Sequence, residues 1–99
     1  MITYEVTAVV EARLAETYER YMREQHMQDV LATGCFQSAD LASVAPGRYR
    51  MRYEASTDED LERYLATHAA RLRQDAASHF PEGVALSREV WTVIQRWEG

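Results

Sequence analysis

Three histidines and six tyrosines are the residues of this chain best suited to acid–base chemistry. His26 lies in EQHMQDVLATGCF, near the end of a helical pattern that stops at Gly34. His68 lies in the middle of the apolar stripe of a second helical pattern, and His79 falls on the same face further along. His68 and His79 are roughly 16 Å apart by helical rise, so they cannot share one ion. A histidine titrates near neutral pH and can move a proton. A tyrosine can hold a developing oxyanion. The functional arrangement these types suggest pairs His26 with His68 across the two helices, at the mouth of a helix–sheet cleft. Tyr21, Tyr49, Tyr53 and Tyr64 would supply apolar walls and hydroxyl donors. That set suits proton transfer on, or cofactor-free oxidation of, a small aromatic or enolisable molecule. Plainer uses stand beside it. His68 can be a core histidine bonded to a carbonyl or a tyrosine. His26 can be a helix-terminal cation. The tyrosines can pack in the core with their hydroxyls satisfied at its edge.

The elements that would position these residues follow from periodicity. Ile2, Tyr4, Val6, Ala8 and Val10 alternate with Thr3, Glu5, Thr7 and Val9, the signature of a strand with one buried face. A helix is expected from about Ala12, with Leu14, Tyr18, Tyr21 and Met22 as its stripe. Continued in phase, that stripe lands on Gln25 and Asp29, whereas the next apolar residues are Met27, Val30 and Leu31. The phase slip near Gln25 and His26 predicts a kink or a second short helix. Gly34 fits the left-handed position that ends it. Cys35 to Val44 reads as a strand whose weak alternation permits a bulge. Ala45-Pro46-Gly47 is a turn. Arg48 to Ala55 alternates cleanly. Ser56-Thr57-Asp58-Glu59 reads as a capping box. It opens a helix with Leu61, Tyr64, Leu65, His68, Leu72, Ala76 and Phe80 on one face. A last strand is expected from about Ala85 to Trp97. The order is βαββαβ over one domain, residues 1–99: an α+β ferredoxin-like sandwich, with four antiparallel strands and two helices on one face.

The formal charge of −5 argues against a general nucleic-acid binder. No apolar run approaches the ~20 residues of a membrane span. The N-terminus lacks the marks of a secretory leader, and one cysteine, Cys35, allows no internal disulfide. A cytoplasmic protein is the expectation. HxxxH, CxxC, a carboxylate triad and a Gly-rich phosphate loop are all missing, so no metal and no cofactor is expected.

Helices can cover only one face of such a sheet. The other face would carry Thr3, Glu5 and Thr7 beside Arg48, Arg50 and Arg52, with Trp91, Val93 and Trp97 from the last strand. Two uses compete for that face, a solvated surface with cross-strand Glu–Arg pairs and a second sheet from an identical chain; the apolar excess favours a homodimer joined through the open sheet face. Taken with YMREQHMQDVLATGCF, RYRMRYEASTDEDLERYLATHAARLRQDAASHF and the final strand, the chain resembles a bacterial domain-of-unknown-function family within the dimeric α+β barrel superfamily. The resemblance implies a homodimer with two sheets packed face to face. In that family the position of Gln28 is commonly proline, where this chain departs. The wider superfamily includes cofactor-independent monooxygenases and stress-response proteins. The other expectation is thus a non-catalytic homodimeric interaction or stress-response module.

Overall fold

A computed structural model describes residues Met1–Gly99. The chain runs β1 (Ile2–Val10), a short 3-10 turn (Ala12–Leu14), α1 (Ala15–Tyr21), a π-helical segment (Met22–His26) and α2 (Met27–Leu31). It continues through β2 (Ser38–Ala45), β3 (Arg48–Ala55), α3 (Asp58–Thr67), α4 (Ala69–His79) and β4 (Val84–Thr92). The strands make one antiparallel sheet in the order β2-β3-β1-β4. Two helical arms pack on one face, giving the ferredoxin-like fold. No helix is long and apolar enough to cross a membrane.

Alternation decides which face is covered. In β1, Ile2, Tyr4, Val6, Ala8 and Val10 are all buried. Tyr4 stands opposite Tyr53 of β3, Val6 opposite Met51 and Ala8 opposite Tyr49. The arms add Tyr18, Met22, Val30, Leu61, Tyr64 and Leu72 to the same core. Each such side chain contributes about 1.5–3 kcal/mol by leaving water, and this burial holds the arms to the sheet. At the far end of β1, Gly47 (φ 79°) turns β2 into β3. A Cβ there would sit 2.6 Å from the Val10 carbonyl oxygen, so glycine is required.

The first arm explains the phase slip. Its middle turn is π-helical, with hydrogen bonds to the fifth residue back, so one extra residue is accommodated without breaking the helix. Backbone angles stay helical through Tyr21, His26 and Met27. The Gln28 side chain donates to the Arg23 carbonyl of this turn at 3.2 Å. Gly34 takes the expected left-handed conformation (φ 76°), but one residue later than the C′ position, because Ala32 caps α2.

Four boundaries differ from expectation. The second helix is interrupted at His68 (φ −118°, ψ −34°), which ends α3 and begins α4. Its cap is Thr57, not Ser56: the Thr57 hydroxyl accepts from the Asp60 amide at 3.2 Å. Ser56 instead accepts from Gln37 Nε2 at 3.0 Å, bridging to the segment before β2. β2 begins at Ser38, because Cys35 and Phe36 are buried ahead of it as the chain comes off the helix. It carries a bulge between Ser43 and Ala45. β4 ends at Thr92, so Val93 and Trp97 lie beyond the strand.

On the uncovered face, Glu5 is the centre. It accepts from Arg52 Nε at 2.7 Å and from Trp91 Nε1 at 3.3 Å, with Arg50 at 3.8 Å. The Arg52 hydrogen bond is the main reason its carboxyl titrates below the usual range. Beside it, Thr3 donates to the Glu54 carboxylate at 2.9 Å.

Candidate functional site

A cavity of about 260 Å³ opens between the two arms and the inner face of β4. Its floor is Tyr4, Val6, Met51 and Tyr53 of the central strands, all buried. The first arm contributes Tyr18, Met22 and His26. The second contributes Tyr64, Arg73, Ala76, Ala77 and Phe80. Val84, Leu86 and Arg88 close it on the β4 side. The cavity exists because β4 is an edge strand that the arms do not fully cover. Leu86, Arg88 and Val90 stand opposite Ala8, Val6 and Tyr4 in the register, yet remain exposed.

His26 reaches this wall because it closes the π-helical segment. Its ring lies 5.9 Å from that of Tyr21, five residues back. Burial is the main influence on its titration and holds its pKa below 6.5, against the opposing charges of Asp29 and Asp75. Burial therefore favours the neutral imidazole. Its Nδ1 is buried and meets no hydrogen-bond partner in the chain.

The tyrosines divide into two groups. Tyr4, Tyr53 and Tyr64 cluster, with ring centroids 5.9 Å apart in the Tyr4–Tyr53 and Tyr4–Tyr64 pairs. Burial pushes Tyr18 and Tyr64 up to about 12, and Tyr53 is also raised, again chiefly by burial. All three are phenols, not phenolates, near neutrality, and thus donors. Tyr53 gives its hydroxyl to Met27 Sδ at 3.3 Å. Tyr4 accepts from Arg73 Nη2 at 2.8 Å.

The residues singled out from sequence are not all brought together. His26, Tyr53 and Tyr64 line the cavity. His68 does not: it occupies the bend between α3 and α4, its ring 6.4 Å from that of Tyr64. The supposed His26–His68 pair at one cleft is therefore replaced by His26 alone. Tyr21 donates instead to Asp75 Oδ2 at 2.7 Å, in the seam between the arms, where Gln25 also reaches the same oxygen at 3.3 Å. Tyr49 donates to the Ala15 carbonyl at 3.2 Å, at the start of α1. Sequence reasoning missed Tyr4, Tyr18, Arg73 and Arg88 as cavity residues. For Arg88 a signal was present, since it shares parity with Leu86 and Val90 and so puts a charge on the face of β4 that should pack. No three His, Cys, Asp or Glu side chains gather as a metal site. Cys35 is buried.

Residues 1–94 match the family described as Domain of unknown function (DUF4286). The chain belongs to that family. No curated relative matches it. Among solved structures it is similar to a dimeric ferredoxin-like protein from an uncultured marine organism, with TM-score 0.78 at 8% identity over 100% of both chains. It is also similar to a candidate antibiotic biosynthesis monooxygenase from Nitrosomonas europaea, with TM-score 0.70 and 16% identity over 96% of this chain and 100% of that one. A third is a monooxygenase of Streptomyces coelicolor in complex with nanaomycin D, with TM-score 0.66 and 11% identity over 98% of this chain and 92% of that one. At these identities the likeness establishes the fold.

Proposed function

We propose that this protein is a homodimer whose cavity binds a small aromatic or enolisable molecule and that His26 exchanges a proton with it. The observation that carries the reading is His26, a histidine with an unpartnered ring nitrogen, on the wall of a tyrosine-lined cavity. A neutral imidazole can take a proton from a carbon acid or phenol placed against it. Tyr18 and Tyr64, as phenols, can donate to the oxyanion that forms. Ring-bearing ligands suit a wall of Tyr, Met and Phe side chains. The solved neighbours described as monooxygenases, one of them holding nanaomycin D, support a ligand role for this fold. His68 enters the reading only as a residue that steadies the bend beside Tyr64.

Dimerisation is supported by the neighbour described as dimeric and by apolar side chains left in water. Val9 and Trp91 are exposed on the uncovered sheet face, and Ile94 and Trp97 beyond β4.

The test is solvent exchange of an enolisable aromatic ketone. Deuterium uptake by beta-tetralone, followed by NMR, should be accelerated by the protein about ten-fold or more over buffer. His26→Ala should remove the acceleration, while His68→Ala should retain it. Absence of acceleration together with absence of saturation transfer to the ketone would end the reading.

A further inference from the structure

We propose that the cavity selects an anion: a small aromatic molecule bearing a carboxylate or an equally acidic oxygen, held at the mouth by Arg73 and Arg88 with its ring laid on the tyrosines inside. The proposal deepens the reading above and rests on the cavity being a ligand site.

Charge placement is the first support. The chain carries −5 overall, and all eleven of its basic residues are arginines. Most of the other arginines already face a carboxylate. Arg13 pairs with Glu11, Arg20 with Glu16 and Arg23 with Glu19. Arg50 and Arg52 share Glu5, and Arg63 meets Asp60. Arg73 and Arg88 have no such partner, and no Asp or Glu lines the cavity with them. An acidic chain has thus gathered two uncompensated guanidinium groups around one apolar space.

Hydrogen bonding is the second. Arg73 uses one nitrogen on the Tyr4 oxygen, which leaves its remaining N–H groups and the Tyr4 hydroxyl proton free to donate. Arg88 and the hydroxyls of Tyr18 and Tyr64 make no hydrogen bond within the chain. Apart from the His26 ring and the tyrosine oxygens, the polar groups around the cavity are therefore donors, and two of them carry positive charge. A ligand that complements it must bring acceptors, and an oxyanion brings the most in the least space. The planar guanidinium fork matches a carboxylate with two parallel bonds, which a neutral amide cannot equal.

The third is the polarity of the space. Arg73 and Arg88 are exposed, whereas Tyr4, Tyr18, Met51 and Tyr53 are buried. Charge sits at the opening and rings at the floor. A ligand with an apolar body and one acidic end enters ring first.

The test uses a charge series on one ring system. Naphthoate, its neutral isostere naphthamide and the cation naphthylmethylammonium are titrated into the wild-type protein by ligand-observed NMR. Naphthoate should bind about ten-fold or more tightly than naphthamide, and the cation should not bind. The Arg73→Gln/Arg88→Gln double variant should bring naphthoate down to the level of naphthamide and leave naphthamide unchanged. Equal binding of acid and amide, or a preference for the acid that survives the double substitution, overturns the anion inference and leaves the ligand site standing. If neither naphthyl compound binds, the inference also fails. The beta-tetralone exchange then decides whether the cavity reading fails with it.

Discussion

The two helical arms are each interrupted at a histidine, and the interruptions differ in kind. In the first arm the turn Met22–His26 widens to a π-helix, and every residue around it keeps helical angles. One residue is added and the arm stays continuous. In the second arm His68 leaves helical geometry (φ −118°), one helix stops and another starts. Yet no residue is added there, since Leu61, Tyr64, Ala69 and Leu72 are all buried against the same sheet. An inserted residue turns the face of a helix, whereas a bend changes only its direction. The comparison also separates the histidines. His26 closes the widened turn and lines the cavity, while His68 fills a bend outside it.

Single-residue deletions should show the largest difference between the two arms. Removing Ala66 from α3 would rotate everything after it by about 100°. Ala69 and Leu72 would leave the core, at a cost of about 4 kcal/mol or more. Loss of a cooperative urea transition is the expected outcome. Removing exposed Glu24 from the π-helical turn should instead let the first arm close into a regular α-helix with Tyr18, Met22, Met27 and Val30 still on one stripe. Its urea midpoint should stay close to wild type. If the two deletions cost the same, the π segment is no insertion in the energetic sense.

A smaller effect is expected at the seam that holds the π-helical turn. Asp75 of α4 receives both Tyr21 and Gln25. Hydrogen bonds to a charged acceptor contribute about 1.5–3 kcal/mol, so Asp75→Ala should lower unfolding free energy by about 2 kcal/mol in urea titrations. A drop within about 0.5 kcal/mol would mean that packing alone secures the turn.

The smallest effect is a pH slope. Burial keeps the His26 pKa below 6.5, so the unfolded chain binds a proton at a higher pH than the folded one. The contribution of this ring to stability is full above pH 6.5 and declines as the pH falls below it. Between about pH 7 and about pH 5, His26→Gln should therefore lose less melting temperature than wild type. Equal losses would place the ring in water, contrary to its orphaned nitrogen.

Legibility followed the same distinction. The phase slip in the first arm was visible because the apolar stripe moves from Tyr18 and Met22 to Met27 and Val30, but it read as a kink or a break, whereas the arm absorbs it in a π-helical turn. The bend at His68 was invisible because the stripe through Tyr64, Leu72 and Phe80 never loses phase. β1 and β3 could be bounded to the residue, since period two is strict where one face is covered. β4 was overextended to Trp97, because an edge strand left open on both faces has no burial pattern to mark its end. For the site, spacing put His26 and His68 in the two helical arms but could not tell how the arms cross or that His68 sits in a bend. It therefore joined at one cleft two histidines of which only His26 lines the cavity, and passed over Tyr4 and Tyr18 as ordinary core.

Legible from the sequence alone were the order of elements, the face each one buries and the phase slip in the first arm. These depend on neighbours one to five positions apart, which the backbone periods relate directly. Only the tertiary structure decided that Arg73 of α4 meets Tyr4 of β1, that Tyr21 turns to Asp75 and that Arg88 faces the same cavity as His26. Those meetings join residues that sit far apart along the chain. They are set by the order of strands in the sheet and by how far two arms can reach across it, quantities that no local period encodes.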